Sequence, residues 1–495
     1  MIERTVHLIN IAPPYRGGIA DVTRPPSGIL YVGGYLKKRG FQVEIHHIKD
    51  VDILSTARKI ASDPSTLFVG FSLMTGKQIV LSAEMSTTLK TIDEKIVIVW
   101  GGIHPSLMPR ECLHFPFVDY VVIGEGEATS LELANYLANK ENIDLDTILS
   151  IGYKKNGNVI IASERPFEVN IDNFRQDWDL VDINRYVRTV GDKKSFFFIT
   201  SRGCPHNCGF CYNQKFNHRK WRCHSVDFVI QELVEIKKKT GINAVVFDDD
   251  NFFTNRARGL EILKKLSVNG ISCQWLELRV DYVTEDLISQ IVDHGVRSIF
   301  MGWESGNDET LKKVAKGFSP ELILDKIRIL SKFKQLSVEA SAIVGFPWET
   351  HEDIDKTVSL ALKMFRLNPF RLNFNIGIYV PYPGAPICDE ATVRGFTFPT
   401  DYQSWNKFDI LSGEMELPWL SQKQLKQYTL IDKYAKLLHI KPNLKIHIKI
   451  ISYVVAILAY MRLKTRILYF PFEIWLSEIY KKRIWKKYET APSSH

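Results

Sequence analysis

Short runs rich in Val, Ile and aromatic residues alternate with amphipathic stretches through the first third of the chain. Residues 6–12, 42–48, 67–73, 95–100 and 119–123 read as strands. Residues 29–39, 77–89 and 128–138 repeat their apolar positions at helical spacing between them. Strands separated by helices pair in parallel through right-handed crossovers. The pattern therefore predicts an α/β, doubly wound domain, flavodoxin-like or Rossmann-like, over residues 1–165. A linker, 166–190, follows. Six further strand-like runs, 196–200, 244–248, 273–279, 298–303, 338–345 and 371–379, predict a partial (β/α)6 barrel over residues 191–400. Residues 401–495 form a helical, basic C-terminal region, with helical periodicity at 421–438 and an apolar run at 450–461.

Sheets of both kinds bind ligands beyond the carboxyl ends of their strands. In the first series those ends carry Pro13-Pro14-Tyr15-Arg16-Gly17-Gly18, Ser72-Leu73-Met74-Thr75-Gly76, Gly101-Gly102-Ile103-His104 and Gly124-Glu125-Gly126. Paired glycines let backbone approach a bulky ligand, and Ser72 and Thr75 offer hydroxyls. The same residues also suit ordinary strand-to-helix turns. No Gly-x-Gly-x-x-Gly opens the first helix, which argues against a dinucleotide. In the second series the ends carry Asp248-Asp249-Asp250-Asn251-Phe252, Arg279, Gly302-Trp303-Glu304-Ser305-Gly306, Gly345-Phe346-Pro347 and Pro381-Tyr382-Pro383-Gly384.

The strand at 196–200 runs into Ser201-Arg202-Gly203-Cys204-Pro205-His206-Asn207-Cys208-Gly209-Phe210-Cys211. Three thiols on one tight loop cannot all pair with one another, and they suit a metal or a cluster. A zinc site would want a fourth ligand, from Cys223, His206, His218 or His224. A four-iron, four-sulfur (4Fe-4S) cluster held by three cysteines leaves one iron open to a small molecule. Cys112, Cys223, Cys273 and Cys388 are scattered and read as buried apolar residues.

This spacing, with the aromatic Phe210 before the last cysteine, resembles the radical S-adenosylmethionine (SAM) superfamily. The resemblance implies that Cys204, Cys208 and Cys211 ligate the cluster. It places Phe210 and the backbone of Tyr212 near the adenine. It gives the SAM amino group to Asp248, Asp249 or Asp250, a choice left open because the family more often has Gly-Gly-Glu there. Glu304 matches the residue that meets the ribose or amino end. Arg279 is a partner for the SAM carboxylate, since a guanidinium suits bidentate recognition.

A doubly wound domain directly before such a barrel resembles the cobalamin-dependent branch, over about residues 1–400. That resemblance makes Ser72, Thr75, Gly101, Gly102, His104, Gly124 and Gly126 the expected cobalamin cradle. None of the 13 histidines has Asp two residues before it, so the Asp-x-His-x-x-Gly cobalt motif is absent. His104 itself reads as a hydrogen-bonding loop residue rather than a metal ligand. The implied activity is methyl transfer to an unactivated carbon of a small-molecule or lipid-like substrate, with an electron donor such as flavodoxin or ferredoxin. Cyclisation or rearrangement without methyl transfer stays open, because the branch contains both. A metal-binding module without catalysis is the reading from a different class, and it predicts zinc or no metal at the triplet.

Charge changes the picture at one end. The 495 residues are 45% apolar and 24% charged, with a formal net charge of +8. Residues 433–487 hold 13 Lys/Arg against 2 Asp/Glu, and the rest of the chain holds 51 against 54. Positive charge confined to a tail argues against a nucleic-acid partner. Between 440 and 488 basic residues interleave with Trp, Tyr and Leu, a pattern of helices in a membrane interface or of a solvated helical cap. The 12-residue apolar run falls short of the about 20 residues a spanning helix needs. The chain start lacks a basic segment followed by an apolar one, so no secretory signal is expected. With an odd count of seven cysteines, the expectation is a cytoplasmic protein, peripheral at the inner face of the membrane. Residues 401–408 and 413–417, carrying Trp405, read as a substrate-side loop.

Overall fold

Parallel strands covered by helices on both faces become near-continuous apolar runs. In the computed structural model, β1 (Thr5–Ala12) is buried along almost its whole length. It pairs in parallel with β2 (Gln42–Lys49) and with β3 (Thr66–Ser72). Beyond β3 lie β4 (Ile98–Gly101) and β5 (Tyr120–Val122), giving the parallel order 2-1-3-4-5. That is the flavodoxin-like order, whose switch point lies between β1 and β3. Two strands extend the predicted five: β6 (Ile151–Lys155) and β7 (Asn158–Ile161) add an antiparallel hairpin. Its turn is Asn156-Gly157, both at positive φ, a dipeptide that marks a two-residue hairpin turn in the sequence.

The second sheet begins with β8 (Arg188–Val190), antiparallel to β9 (Lys193–Phe198). A two-residue pair, β10 (Ser201–Arg202) and β11 (Arg222–Cys223), brackets the cysteine loop. Then follow β12 (Ala244–Phe247), β13 (Ser272–Glu277), β14 (Ser298–Glu304), β15 (Ser337–Val344) and β16 (Leu372–Ile378). The order is 16-15-14-13-12-9-8, so the six parallel strands form an open barrel with edges at β8 and β16. β15 shows why this sheet differs from the first. Its residues alternate half-buried and buried, one face against helices and the other toward the lumen.

Five of the barrel helices, Val226–Thr240, Arg256–Val268, Glu285–Asp293, Pro320–Ser331 and His351–Leu367, open on a side-chain cap. The caps are Ser225, Asn255, Thr284, Ser319 and Thr350. Each accepts a hydrogen bond from a backbone N–H that the first turn leaves unpaired. Helix Gln422–Leu437 covers the open edge at β16, where Asp432 Oδ1 accepts from Ile376 N at 3.0 Å. Residues 171–186 form three one-turn helices that bury Trp178, Ile183 and Tyr186 in the barrel core.

The structure describes residues 4–14, 22–140, 143–408, 415–440, 446–469 and 471–475. Tyr15 to Gly18, Gly413, and the basic cluster 481–487 lie outside those residues. Trp405 departs from its expected place on a substrate-side loop. It is buried in the core of the first domain, edge-on to His104 with ring centroids 4.8 Å apart.

Candidate active site

A cavity of about 580 Å³ lies where the carboxyl ends of the two sheets meet. From the first domain it is walled by Ser72, Gly101, Gly102, Gly124 and Gly126, and from the barrel by Gly203, Tyr212, Asp248 and Asp250. Gly102 has a φ of 93°, and a Cβ there would sit 2.9 Å from the backbone of Leu73. Glycine is thus needed for the loop to lie against the end of β3. The other two residues of the expected cradle face elsewhere. The Thr75 hydroxyl lies 3.1 Å from His104 Nδ1, and His104 is buried against Trp405. Neither lines the cavity. Burial lowers the His104 pKa to about 3, so its ring is neutral.

The cysteine loop leaves β10 through Gly203, whose φ is 84° and whose added Cβ would lie 2.2 Å from Lys220 O. Only glycine turns here. Gly209 N then donates to Val314 O, and Gln214 Nε2 to Cys208 O, which fixes the loop over the barrel mouth. Each sulfur faces an N–H donor. Asn251 Nδ2 lies 3.9 Å from Cys204 Sγ, Arg279 Nη1 3.9 Å from Cys208 Sγ, and Asn213 N 3.5 Å from Cys211 Sγ. Burial raises the Cys204 and Cys211 thiols, Cys211 to about 12. Each holds its proton until a metal displaces it.

The spacing argues against zinc. Sulfurs sharing one tetrahedral ion lie about 3.8 Å apart, whereas these three are not all within 4.8 Å of one another. The histidines offered as a fourth ligand have other partners. His206 Nε2 lies 3.0 Å from Tyr282 OH, His218 pairs with Glu164, and His224 sits between Asp172 and Tyr31. Of the other four cysteines, Cys112, Cys273 and Cys388 are buried and Cys223 is half-buried.

The three aspartates separate by direction. Asp249 is fully enclosed. It accepts from Thr200 N and from the Thr200 and Ser201 hydroxyls, and burial pushes it up to about 6. Asp248 and Asp250 open onto the cavity. Asp248 pairs with Arg24 of the first domain at 3.0 Å, and Asp250 accepts from Asn213 and Gly203.

Deeper in the barrel, Glu304 stands at a φ of 59° and pairs with Lys316 at 2.8 Å, both buried. Arg279 is held by Asp281 at 3.0 Å and also donates to Lys316 O. Its head is therefore already engaged beside Cys208. Phe210 packs toward Phe346, with Lys316 Nζ 5.8 Å from its ring. Tyr212 lies against Tyr382, ring centroids 5.1 Å apart. Two charged residues escaped the sequence reading. Lys316 has no motif around it. Glu277 alternates with the core residue Leu276 on β13 and shares the lumen with Lys316, Asp250, Glu304 and Asp248.

A glycine-rimmed flavodoxin-like domain closed over an open barrel, with a three-cysteine loop that reaches the shared cavity through Gly203 and Tyr212, defines an enzyme with room for a large cofactor beside a metal or cluster site. Comparisons with known proteins agree. The model for the Radical SAM superfamily matches residues 198–361, and that for the B12 binding domain matches residues 20–134. Uncharacterized methyltransferase PH0819 of Pyrococcus horikoshii is 30% identical over 440 residues, 86% of this chain and 91% of that protein. An anaerobic magnesium-protoporphyrin IX monomethyl ester cyclase of Synechocystis is 29% identical over 323 residues, 63% of each chain. The cobalamin-dependent SAM radical enzyme OxsB, solved with aqua-cobalamin and SAM, shares the fold. Its TM-score is 0.69 at 16% identity, over 93% of this chain and 72% of that one.

The chain belongs to the radical SAM superfamily, in the branch that carries a B12-binding domain. It is an enzyme whose cofactors are a 4Fe-4S cluster, SAM and cobalamin. The residues fit that set. Three thiols share one loop, N–H donors face each of the sulfurs, and glycine backbone rims the cavity.

Proposed function

We propose that the enzyme transfers a methyl group to an unactivated carbon of a lipid-like small molecule. The observation that carries this reading is one cavity walled by the glycine rim on one side and by Gly203 and Tyr212 of the cysteine loop on the other. Methyl transfer is also the activity named for the Pyrococcus horikoshii relative. When bound, the cofactors supply one-electron cleavage of SAM, hydrogen abstraction from carbon and a methyl carried on cobalt. A one-electron donor of the flavodoxin or ferredoxin class supplies the reductant.

The chain's own residues position these groups. Cys204, Cys208 and Cys211 hold the cluster. Arg279 and Lys316 place positive charge beside it and offset the charge of the thiolates. Asp248 and Asp250 present carboxylates to the SAM amino group, while Asp249 braces the strand end from behind. Ser72, Gly101, Gly102, Gly124 and Gly126 let a flat macrocycle lie against backbone. Thr75 and Trp405 hold His104 out of the cavity, so this loop would offer no imidazole to a cobalamin bound there. In this reading residues 1–165 serve cobalamin, 191–400 serve the cluster and SAM, and within 401–495 it is helix Ile446–Thr465 that faces a membrane.

Helix Ile446–Thr465 supports the lipid-like substrate. Ile446, Ile450, Ile451, Val454, Ile457 and Met461 are exposed, while Ala456, Ala459 and Leu463 pack inward. No described helix is long and apolar enough to cross a membrane. Such a face lies in an interface, with Lys449 and Lys464 toward anionic headgroups, while Arg462 is held by Glu473 at 3.2 Å. Cosedimentation with anionic vesicles, weakened by salt, is expected. Binding that survives removal of residues 440–495 counts against this contact.

The activity is tested on anaerobically reconstituted enzyme with SAM, cobalamin and a chemical reductant. Release of 5′-deoxyadenosine is expected, followed by a product heavier than substrate by one methylene unit. No release with any reductant refutes the radical reading. Release with a product that has lost hydrogen and gained no carbon favours cyclisation, the activity named for the Synechocystis relative.

A further inference from the structure

The cluster that the active site does not use lies toward the amino ends of β1, β2 and β3. His7 of β1 stands opposite Glu44 of β2, and His46 follows two residues along the same face. His7 Nδ1 and His46 Nε2 are 3.1 Å apart, and Glu44 Oε2 is 3.9 Å from the first and 3.7 Å from the second. Among the described residues, no other trio of His, Cys, Asp or Glu ligand atoms lies within 4.8 Å of one another. The side chains of His7 and His46 are only 2% and 10% exposed, while Glu44 at 45% opens a path from solvent.

These separations match those of ligands on one ion. Nitrogen and oxygen ligands at zinc bond lengths of about 2.0–2.1 Å stand about 3.3–3.4 Å apart in a tetrahedron. The two imidazoles are already there, and Glu44 needs to move by a few tenths of an ångström. The outer contacts also match. His7 Nε2 lies 3.4 Å from Asp63 Oδ2 and 3.3 Å from Thr66 Oγ1. A ligating histidine characteristically gives its second N–H to a carboxylate, which fixes the tautomer and turns the other nitrogen to the metal. The two carboxylates balance a divalent charge. Lys59 Nζ competes for Glu44 Oε2 at 3.1 Å, but both side chains reach solvent, where such a pair is weak.

We propose that His7, Glu44 and His46 bind a zinc ion, with water completing the coordination, and that the ion pins edge strand β2 to β1. The site is structural. Side chains alternate along β1, and it is Leu8 and Asn10, on the opposite face, that line the cofactor cavity.

The test uses enzyme already loaded with iron–sulfur cluster and cobalamin, so that the cysteines are occupied. After equilibration with zinc and removal of excess, about one zinc per chain is expected. Its X-ray absorption should fit nitrogen and oxygen neighbours alone, and the unfolding midpoint should rise by several degrees. His46→Ala removes the zinc and the rise while iron content stays unchanged. Glu44→Gln, at a half-exposed position, keeps the fold and weakens zinc about tenfold or more. Sulfur neighbours around zinc, or full zinc retention in both variants, overturns the proposal.

Discussion

Arg202, two residues before Cys204, donates through Nη2 to Glu127 Oε1 at 2.7 Å, across the boundary between the two sheets. Its Nη1 reaches Glu125 Oε1 at 2.8 Å, and Arg222 Nη1 lies 2.8 Å from Glu125 Oε2. None of the four side chains is more than 17% exposed. The loop that carries Gly124 and Gly126 and the loop that carries the cysteines are thus tied by one ion-pair network.

Breaking that network should loosen both cofactor edges together. Arg202→Met leaves Glu127 and part of Glu125 buried without a partner, a loss on the order of 3–5 kcal/mol. Urea unfolding should show this loss, and cobalamin and iron occupancy should fall in parallel. The network also has an acid limit. Burial works against the Glu125 charge, but Arg202 and Arg222 hold its carboxyl below the ordinary 4.5. Its contribution is therefore present above pH 4.5 and is lost as pH falls through the lower folded-state value. An Arg202→Met protein with unchanged stability and cofactor content would disprove the coupling.

The cysteines separate into two groups. Cys204→Ala, Cys208→Ala or Cys211→Ala should each reduce reconstituted iron from about four per chain to near zero. Cys223→Ala, Cys112→Ala and Cys273→Ala should leave it unchanged, because none of these sits in the loop. Iron and sulfide assays after anaerobic gel filtration check this. Iron retained by a triplet variant, or lost from a Cys223 variant, would move the cluster elsewhere.

The barrel was legible because each of its strands carries its own evidence. β15, Ser-Val-Glu-Ala-Ser-Ala-Ile-Val, alternates buried and half-buried positions that a reader of the chain can count. The cysteine triplet is equally local. What stayed hidden depends on which distant residues meet. Lys316 gains meaning only from Glu304 and Arg279, and Glu277 only from the charges sharing its lumen. Thr75 and His104 stand at a strand end like their neighbours, but Trp405, some 300 residues on, turns them away from the cavity. The 2-1-3-4-5 order could not be chosen either, since periodicity marks strands as parallel without ranking them.

The aspartate run makes a sharper test of position. Asp249→Ala strands two buried hydroxyls and a backbone N–H, at about 1–3 kcal/mol for each orphaned group. It should lower stability and cluster retention. Asp248→Asn and Asp250→Asn, on the cavity wall, should keep the cluster and weaken SAM by about tenfold to a hundredfold, the value of a hydrogen bond to charge. Equilibrium dialysis of SAM against reconstituted protein separates the two effects. The assignment fails if Asp249→Ala keeps its cluster while SAM binding alone collapses.

Glu277 sets a pH dependence of the opposite sign to Glu125. Burial pushes its carboxyl up to about 8, with Lys316 offsetting part of the rise and Asp250, Glu304 and Asp248 adding to it. The unfolded chain releases this proton near 4.5, the folded protein near 8. Between those values the folded state binds the additional proton, so stability falls as pH rises, by at most about 1.4 kcal/mol per pH unit. Glu277→Gln keeps the shape and removes the titration. Unfolding of cofactor-free protein across this window should slope downward in the wild type and flatten in the variant. Identical slopes would mean that Glu277 ionises in the folded lumen at its ordinary pKa, and that Lys316 fully offsets its burial.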